Sequence, residues 1–171
     1  MRTLLIVYHT LTGGTLQMAE AAARGARRAG ADAGPADAAL RIELRHARDT
    51  DATHLLAADG YVFATPENLA MMSGQLKDFF DRSYYAALER INGRPYALLV
   101  CAGSDGTNAV RQVERIATGW RLKAVAPPVI VCTQAQTPER ILAPKQLSAA
   151  QLAPCEELGA TLAAGLALGI F

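Results

Sequence analysis

Three stretches of the chain are almost unbroken apolar runs: Thr3–Tyr8 (TLLIVY), Tyr61–Ala64 (YVFA) and Tyr96–Cys101 (YALLVC). Such strands are buried on both faces, as in a parallel sheet covered by helices. Leu40–Arg45 (LRIELR) instead alternates apolar and charged positions, which predicts a strand with one wet face at a sheet edge. Pro128–Thr133 (PVIVCT) supplies a fifth strand. Amphipathic segments lie between them. The strongest is Gly74–Ile91, where Leu76, Phe79, Phe80, Tyr84, Leu88 and Ile91 recur at three-to-four spacing, with Lys77, Asp78, Asp81 and Arg82 largely opposite. Further helices are expected at Thr15–Ala29, Asp51–Ala57, Gly106–Arg121 and Ser148–Leu168. The last opens on a capping box, Ser148 with Gln151. Gly30–Ala38 (GADAGPADA) reads as a short loop rather than a domain linker.

Strands alternating with helices imply a doubly wound, three-layer α/β/α sandwich in one domain over residues 1–171. With the second strand at the edge, a five-stranded parallel sheet of order 2-1-3-4-5 fits, its switch point between strands 1 and 3. Ligands of such sheets bind beyond the carboxyl ends of the strands. Residues 9–15, 65–74 and 102–107 are therefore the segments expected to carry function.

Composition narrows the classes. The 171 residues are 51% hydrophobic and 19% charged, with 17 Lys and Arg against 16 Asp and Glu. A net charge of +1, without a basic stripe, gives no field to draw nucleic acid or a membrane surface. Cys101, Cys132 and Cys155 show neither CxxC spacing nor nearby His pairs, so no metal site or disulfide framework is expected. The chain enters a strand without a leader pattern, and its apolar end Leu158–Phe171 is shorter than the roughly 20 residues of a membrane span. A cytoplasmic protein without membrane insertion is the expectation.

The richest local signal is His9–Thr15 (HTLTGGT), joining a buried strand to a helix start. Hydroxyls of Thr10, Thr12 and Thr15, amides around Gly13 and Gly14, and the helix dipole suit a phosphate. An ordinary turn needs one cap, not three hydroxyls and two glycines. A nucleotide-hydrolysing loop, GxxxxGKS/T, would need a lysine that is missing here. A terminal monophosphate held by neutral donors fits better. A response-regulator receiver would want an acidic pair after strand 1, where this chain has His9-Thr10. His9 itself either assists the phosphate or is simply solvated.

Thr10–Thr15 (TLTGGT) resembles the flavodoxin phosphate loop, Ser/Thr-x-Thr-Gly-x-Thr, directly after strand 1. Ala64–Arg82 (ATPENLAMMSGQLKDFFDR) resembles the TPxxxxxMSGxLKxFxDR segment of flavodoxin-fold NAD(P)H oxidoreductases and FMN reductases. Cys101–Gly106 (CAGSDG) stands where their third flavin loop would be. The resemblance implies FMN as cofactor, with His9, Thr10, Leu11, Thr12, Gly13, Gly14 and Thr15 around its phosphate. Thr65, Pro66, Glu67 and Asn68 would border the isoalloxazine ring, and Leu69, Met71 and Met72 would cover its apolar parts. Gly103, Ser104, Asp105 and Gly106 would flank the pyrimidine and ribityl side. Plainer readings stand beside these: Met71 and Met72 as core packing, Ser73-Gly74 as a helix start, Asp105 as a helix cap, and Cys101 and Cys132 as buried inert thiols.

The same resemblance implies an NADPH- or NADH-dependent oxidoreductase passing electrons to a quinone or similar small-molecule acceptor. Flavin N5 would be the reactive atom, and no side chain an obligatory acid, base or nucleophile. His54 and Tyr84 are candidate acceptor contacts, Tyr84 and Tyr85 also candidates for packing or a subunit interface. A homodimer or homotetramer is in keeping with such relatives. The alternatives are a flavodoxin-type electron carrier for a protein partner, or an interaction domain with vestigial flavin binding. Residues 65–74 and 102–107 hold no Phe, Tyr or Trp, and the chain is not acidic, so the aromatic shield and acidic docking face of carriers are missing. Trp120 lies past the fourth helix and reads as a packing residue.

Overall fold

A computed structural model describes residues 1–32 and 40–171. The elements run β1 (Arg2–Tyr8), α1 (Gly14–Asp32), β2 (Leu40–His46), α2 (Ala52–Ala57), β3 (Gly60–Asn68), β4 (Met71–Met72), α3 (Gly74–Ala87), β5 (Pro95–Ala102), α4 (Thr107–Gly119), β6 (Lys123–Ala124), β7 (Val129–Cys132), α5 (Pro138–Leu142) and α6 (Ala149–Leu168). Strands β2, β1, β3 and β5 lie side by side and parallel. β2 is the edge strand, and its half-exposed face carries the Arg41–Glu43–Arg45 ion pairs. This is the doubly wound sandwich that the apolar pattern predicts.

Two expectations need correction. The sheet has seven strands rather than five, because the fifth position is filled by two short pieces on the same edge of β5. After Val125 N–H bonds the Tyr96 carbonyl, Pro127 and Pro128 have no N–H to continue a ladder. The extra strand β4 folds back antiparallel on β3. Helix bounds also shift. α1 runs three residues beyond Ala29, so Gly30–Asp32 are helical; the rest of the expected Gly30–Ala38 loop lies outside the described residues. α3 ends at Ala87, four residues early, yet Ile91 still reaches the core from the following turn.

The two sides of the sheet are packed differently. Toward α2, α3 and α4 the core is aromatic, with Tyr61, Phe63, Phe79, Phe80, Tyr96 and Trp120. Trp120 stacks on Tyr84 and donates its indole N–H to the Tyr84 carbonyl at 3.0 Å. Toward α1 and α6 the buried residues are Ala, Leu, Val, Ile, Met and Cys. There the two helices almost touch: a Cβ on Gly25 would fall into the Glu156 carbonyl, and one on Gly159 into that of Ala22. Backbone contact at this range allows α1 little lateral play, so its N-terminus is held firmly over the carboxyl edge of the sheet. α6 starts on the expected Ser148–Gln151 capping box.

Candidate functional site

β1 pairs with β3 up to the Tyr8–Ala64 step, but β3 and β5 continue past it to Asn68 and Ala102. The loops leaving these strands therefore surround one cleft at the carboxyl edge. Its walls are Thr10, Leu11, Thr12, Gly14 and Thr15, then Pro66, Glu67 and Asn68, then Cys101, Ala102 and Gly103. Thr133, Ala135, Ile141 and Lys145 complete it. The three predicted segments do meet, and a fourth joins them.

The first loop is tightly organised. Gly13 turns through φ +89 and donates its N–H to Thr10 Oγ1 at 3.0 Å. α1 then begins at Gly14 with no acidic residue in its first turn. Its first two residues, Gly14 and Thr15, line the cleft, which puts the amide-rich, positive end of the helix at its wall. A Cβ on Gly14 would lie 2.5 Å from Cys101 Sγ, so the loop can rest on the sheet only with glycine there. Burial pushes the Cys101 thiol up to about 11, which leaves it protonated and unreactive at neutral pH. Thr15 is 1% exposed, and its buried hydroxyl has no hydrogen-bond partner among the described residues. A buried hydroxyl left so costs on the order of 1–3 kcal/mol unless a ligand completes it.

The second segment is a hairpin. Leu69 and Ala70 form its two-residue tip, both with positive φ (50 and 61), a conformation that normally calls for Asn-Gly. The strained tip is clamped from below. Asn108 Nδ2 donates to the Ala70 carbonyl at 2.7 Å, and Met72 N–H donates to Gln112 Oε1 at 2.8 Å. Thr65 is fully buried; its hydroxyl donates to the Pro66 carbonyl and accepts from Ser73 N–H. Ser73 caps α3, so the helix-start reading of Ser73-Gly74 holds.

Several predicted residues fall outside the cleft. The His9 side chain is buried beneath the loop, edge-on to His46, and burial followed by that neighbour lowers its pKa from 6.5. Thr65 acts through its bonds to the hairpin. Leu69, at 91% exposed, and Met71 point to a separate apolar groove shared with Met72, Lys77, Gln112 and Ile116. Ser104 and Asp105 are exposed, and Asp105 accepts the Thr107 hydroxyl at 2.7 Å. Gly106, not Asp105, is the N-cap of α4. His54 is engaged in the Asp51 capping box, and Tyr84 packs on Trp120, so neither reaches the cleft. Thr133, Ala135, Ile141 and Lys145 were not foreseen. Only the fold reveals them, since they come from the turn after β7 and the α5 segment.

The NADPH-dependent FMN reductase family profile matches residues 1–137, which takes in every strand and all three loops. The chain belongs to the NADPH-dependent FMN reductase family. Among curated relatives, a flavodoxin from Aquifex aeolicus is 33% identical over 81 residues, covering 47% of this chain and 40% of its own length. An NAD(P)H dehydrogenase (quinone) from Acidithiobacillus ferrooxidans is 33% identical over 103 residues, covering 48% of each. The chain thus spans about half the length of the curated relatives it matches. The crystal structure of a flavodoxin, WrbA-like protein from Agrobacterium tumefaciens superposes with a TM-score of 0.71 at 19% identity, over 99% of both chains. That likeness establishes the flavodoxin-like fold. Among the described residues, no helix is long and apolar enough to cross a membrane, and no group of three His, Cys, Asp or Glu could hold a metal ion.

Proposed function

We propose that this family member binds FMN in the carboxyl-edge cleft and acts as an NAD(P)H-dependent oxidoreductase toward a quinone or similar small acceptor. The observation that carries the reading is the Thr15 hydroxyl, buried and unpartnered at the start of α1. With Thr10, Thr12 and the amides following Gly13, it forms a donor set suited to a terminal phosphate. The bare Gly14 fits the same role, because any side chain there would lift the loop off Cys101. Pro66, Glu67, Asn68 and Gly103 are the wall positions assigned to the flavin ring.

Bound FMN would supply the redox chemistry, taking up electrons from the nicotinamide and releasing them to the acceptor. The chain's own work is positioning. The α1 terminus holds one end of the cofactor, and the clamped hairpin sets the height of the wall beside the other. None of the cleft-lining side chains is Phe, Tyr or Trp, which favours an accessible ring over the shielded ring of a carrier. The test is NAD(P)H oxidation with a quinone before and after FMN reconstitution. Turnover that appears only with FMN and both substrates supports the enzyme. Stoichiometric FMN binding without turnover would favour the carrier instead.

A further inference from the structure

The sequence of the first loop has no lysine, yet the fold brings one to it. After α5 the chain crosses the phosphate loop, and Lys145 N–H donates to the Thr12 carbonyl at 2.8 Å. Gln17, one turn into α1, ties the crossing down. Its amide Nε2 donates to the carbonyls of Gly13 (3.0 Å) and Lys145 (2.8 Å), while its Oε1 accepts Leu147 N–H at 3.1 Å. The Lys145 stem lies against the glycine turn, 3.4 Å from where a Gly14 Cβ would stand.

The ammonium is held but not neutralised. It donates to the carbonyls of Arg140, Ile141 and Ala143 at 2.6–2.9 Å, around the C-terminus of α5. Among the described residues no carboxylate pairs with it. Carbonyl dipoles fix a cation in place without cancelling its charge. The stem that carries it lines the cleft beside Gly14 and Cys101, and its charge partly offsets the burial that raises the Cys101 thiol. The same wall carries the unpartnered Thr15 hydroxyl. A cap for α5 alone would not need its stem to line this cleft against the glycine turn.

With all three ammonium donors on carbonyls, we propose that Lys145 acts by its charge, favouring the cofactor's terminal phosphate across the cleft and making the site select FMN over unphosphorylated riboflavin. The proposal rests on FMN occupying the cleft, and it lies beyond the family-matched residues 1–137.

The experiment is fluorescence-quenching titration of apoprotein with FMN and with riboflavin, at low and high salt. For Lys145→Met we expect FMN affinity to fall about tenfold at low salt, riboflavin affinity to stay within about twofold, and the salt dependence of FMN binding to flatten. Lys145→Arg should restore most of the FMN affinity and its salt slope. Gln17→Leu, which keeps the charge but releases the crossing, should weaken FMN by an intermediate amount. Equal FMN affinity in wild type and Lys145→Met, or parallel losses for FMN and riboflavin, would overturn the proposal while leaving the FMN assignment standing. A wild-type protein that binds no FMN would instead remove the assignment itself. Should Lys145→Met not fold, wild-type FMN and riboflavin binding with the same affinity and salt response would overturn the proposal.

Discussion

The α1 end of the cleft and the neighbouring β3–β4 hairpin are built on opposite plans. At the α1 end, three threonine hydroxyls and a glycine turn sit beneath a strap fixed by Gln17 and Lys145, and a buried hydroxyl waits for a partner. At the β3–β4 end, a strained tip carries Leu69 (91% exposed) and Met71 (48%) into solvent, steadied by two side chains from α4. The first end is polar and tied to the chain on several sides; the second is apolar and open. On the proposed reading the difference separates two tasks, retention of a cofactor by its charged tail and admission of partners to its ring.

Thr12→Val with Thr15→Val should break the first end most severely. Losing two hydroxyls of the proposed phosphate site should raise the FMN dissociation constant about a hundredfold or more, measured by titration, while the far-ultraviolet circular dichroism stays unchanged. Unaltered affinity would remove the phosphate assignment from this loop. Gly14→Ala is next. Its Cβ would press on Cys101 Sγ, so stability should drop by about 1–3 kcal/mol in denaturant melts and FMN should bind weakly. Adding Cys101→Ala should recover a large part of both, because the two sites are in contact.

The open end should respond differently. Gln112→Leu with Asn108→Ala removes both clamps and lets the hairpin relax. We expect the KM for the acceptor to rise about threefold with FMN affinity nearly untouched, since these two side chains line no part of the cleft and bond the hairpin backbone. An equal loss of FMN affinity would erase the division between the two ends.

A smaller effect comes from pH. The pKa values of His9 and His46 both lie below 6.5 in the folded chain, chiefly through burial. The unfolded chain binds those protons first as pH falls. Stability is therefore fully present above the unfolded value of about 6.5 and is lost as pH drops through the lowered folded values. Denaturant midpoints should be level above pH 7 and decline below about 6.5, and His9→Asn with His46→Asn should flatten that decline.

The frame was legible because β1, β3 and β5 are buried on both faces, which writes them as continuous apolar runs. The first loop was legible because its chemistry is contiguous: hydroxyls, glycines and helix start occupy Thr10–Thr15. The hairpin was not. Leu69 and Ala70 lack the residue types that announce such a turn, and its conformation is imposed by Asn108 and Gln112, some forty positions on. Lys145 was hidden for the same reason, since 130 residues separate it from Thr15 and only the docking of α5 joins them. Asp105 shows the limit of local grammar. It stands where a cap residue belongs, yet the left-handed Gly106 takes the position and leaves Asp105 to bond Thr107.

The central claim is that the cleft holds a flavin reducible by a nicotinamide, and anaerobic titration of the FMN-loaded protein with NADPH and NADH tests it most directly. The account predicts loss of the oxidised flavin absorbance at about one equivalent of at least one nicotinamide, and its return when a quinone is added. Flavin that dithionite reduces but neither nicotinamide does would contradict it.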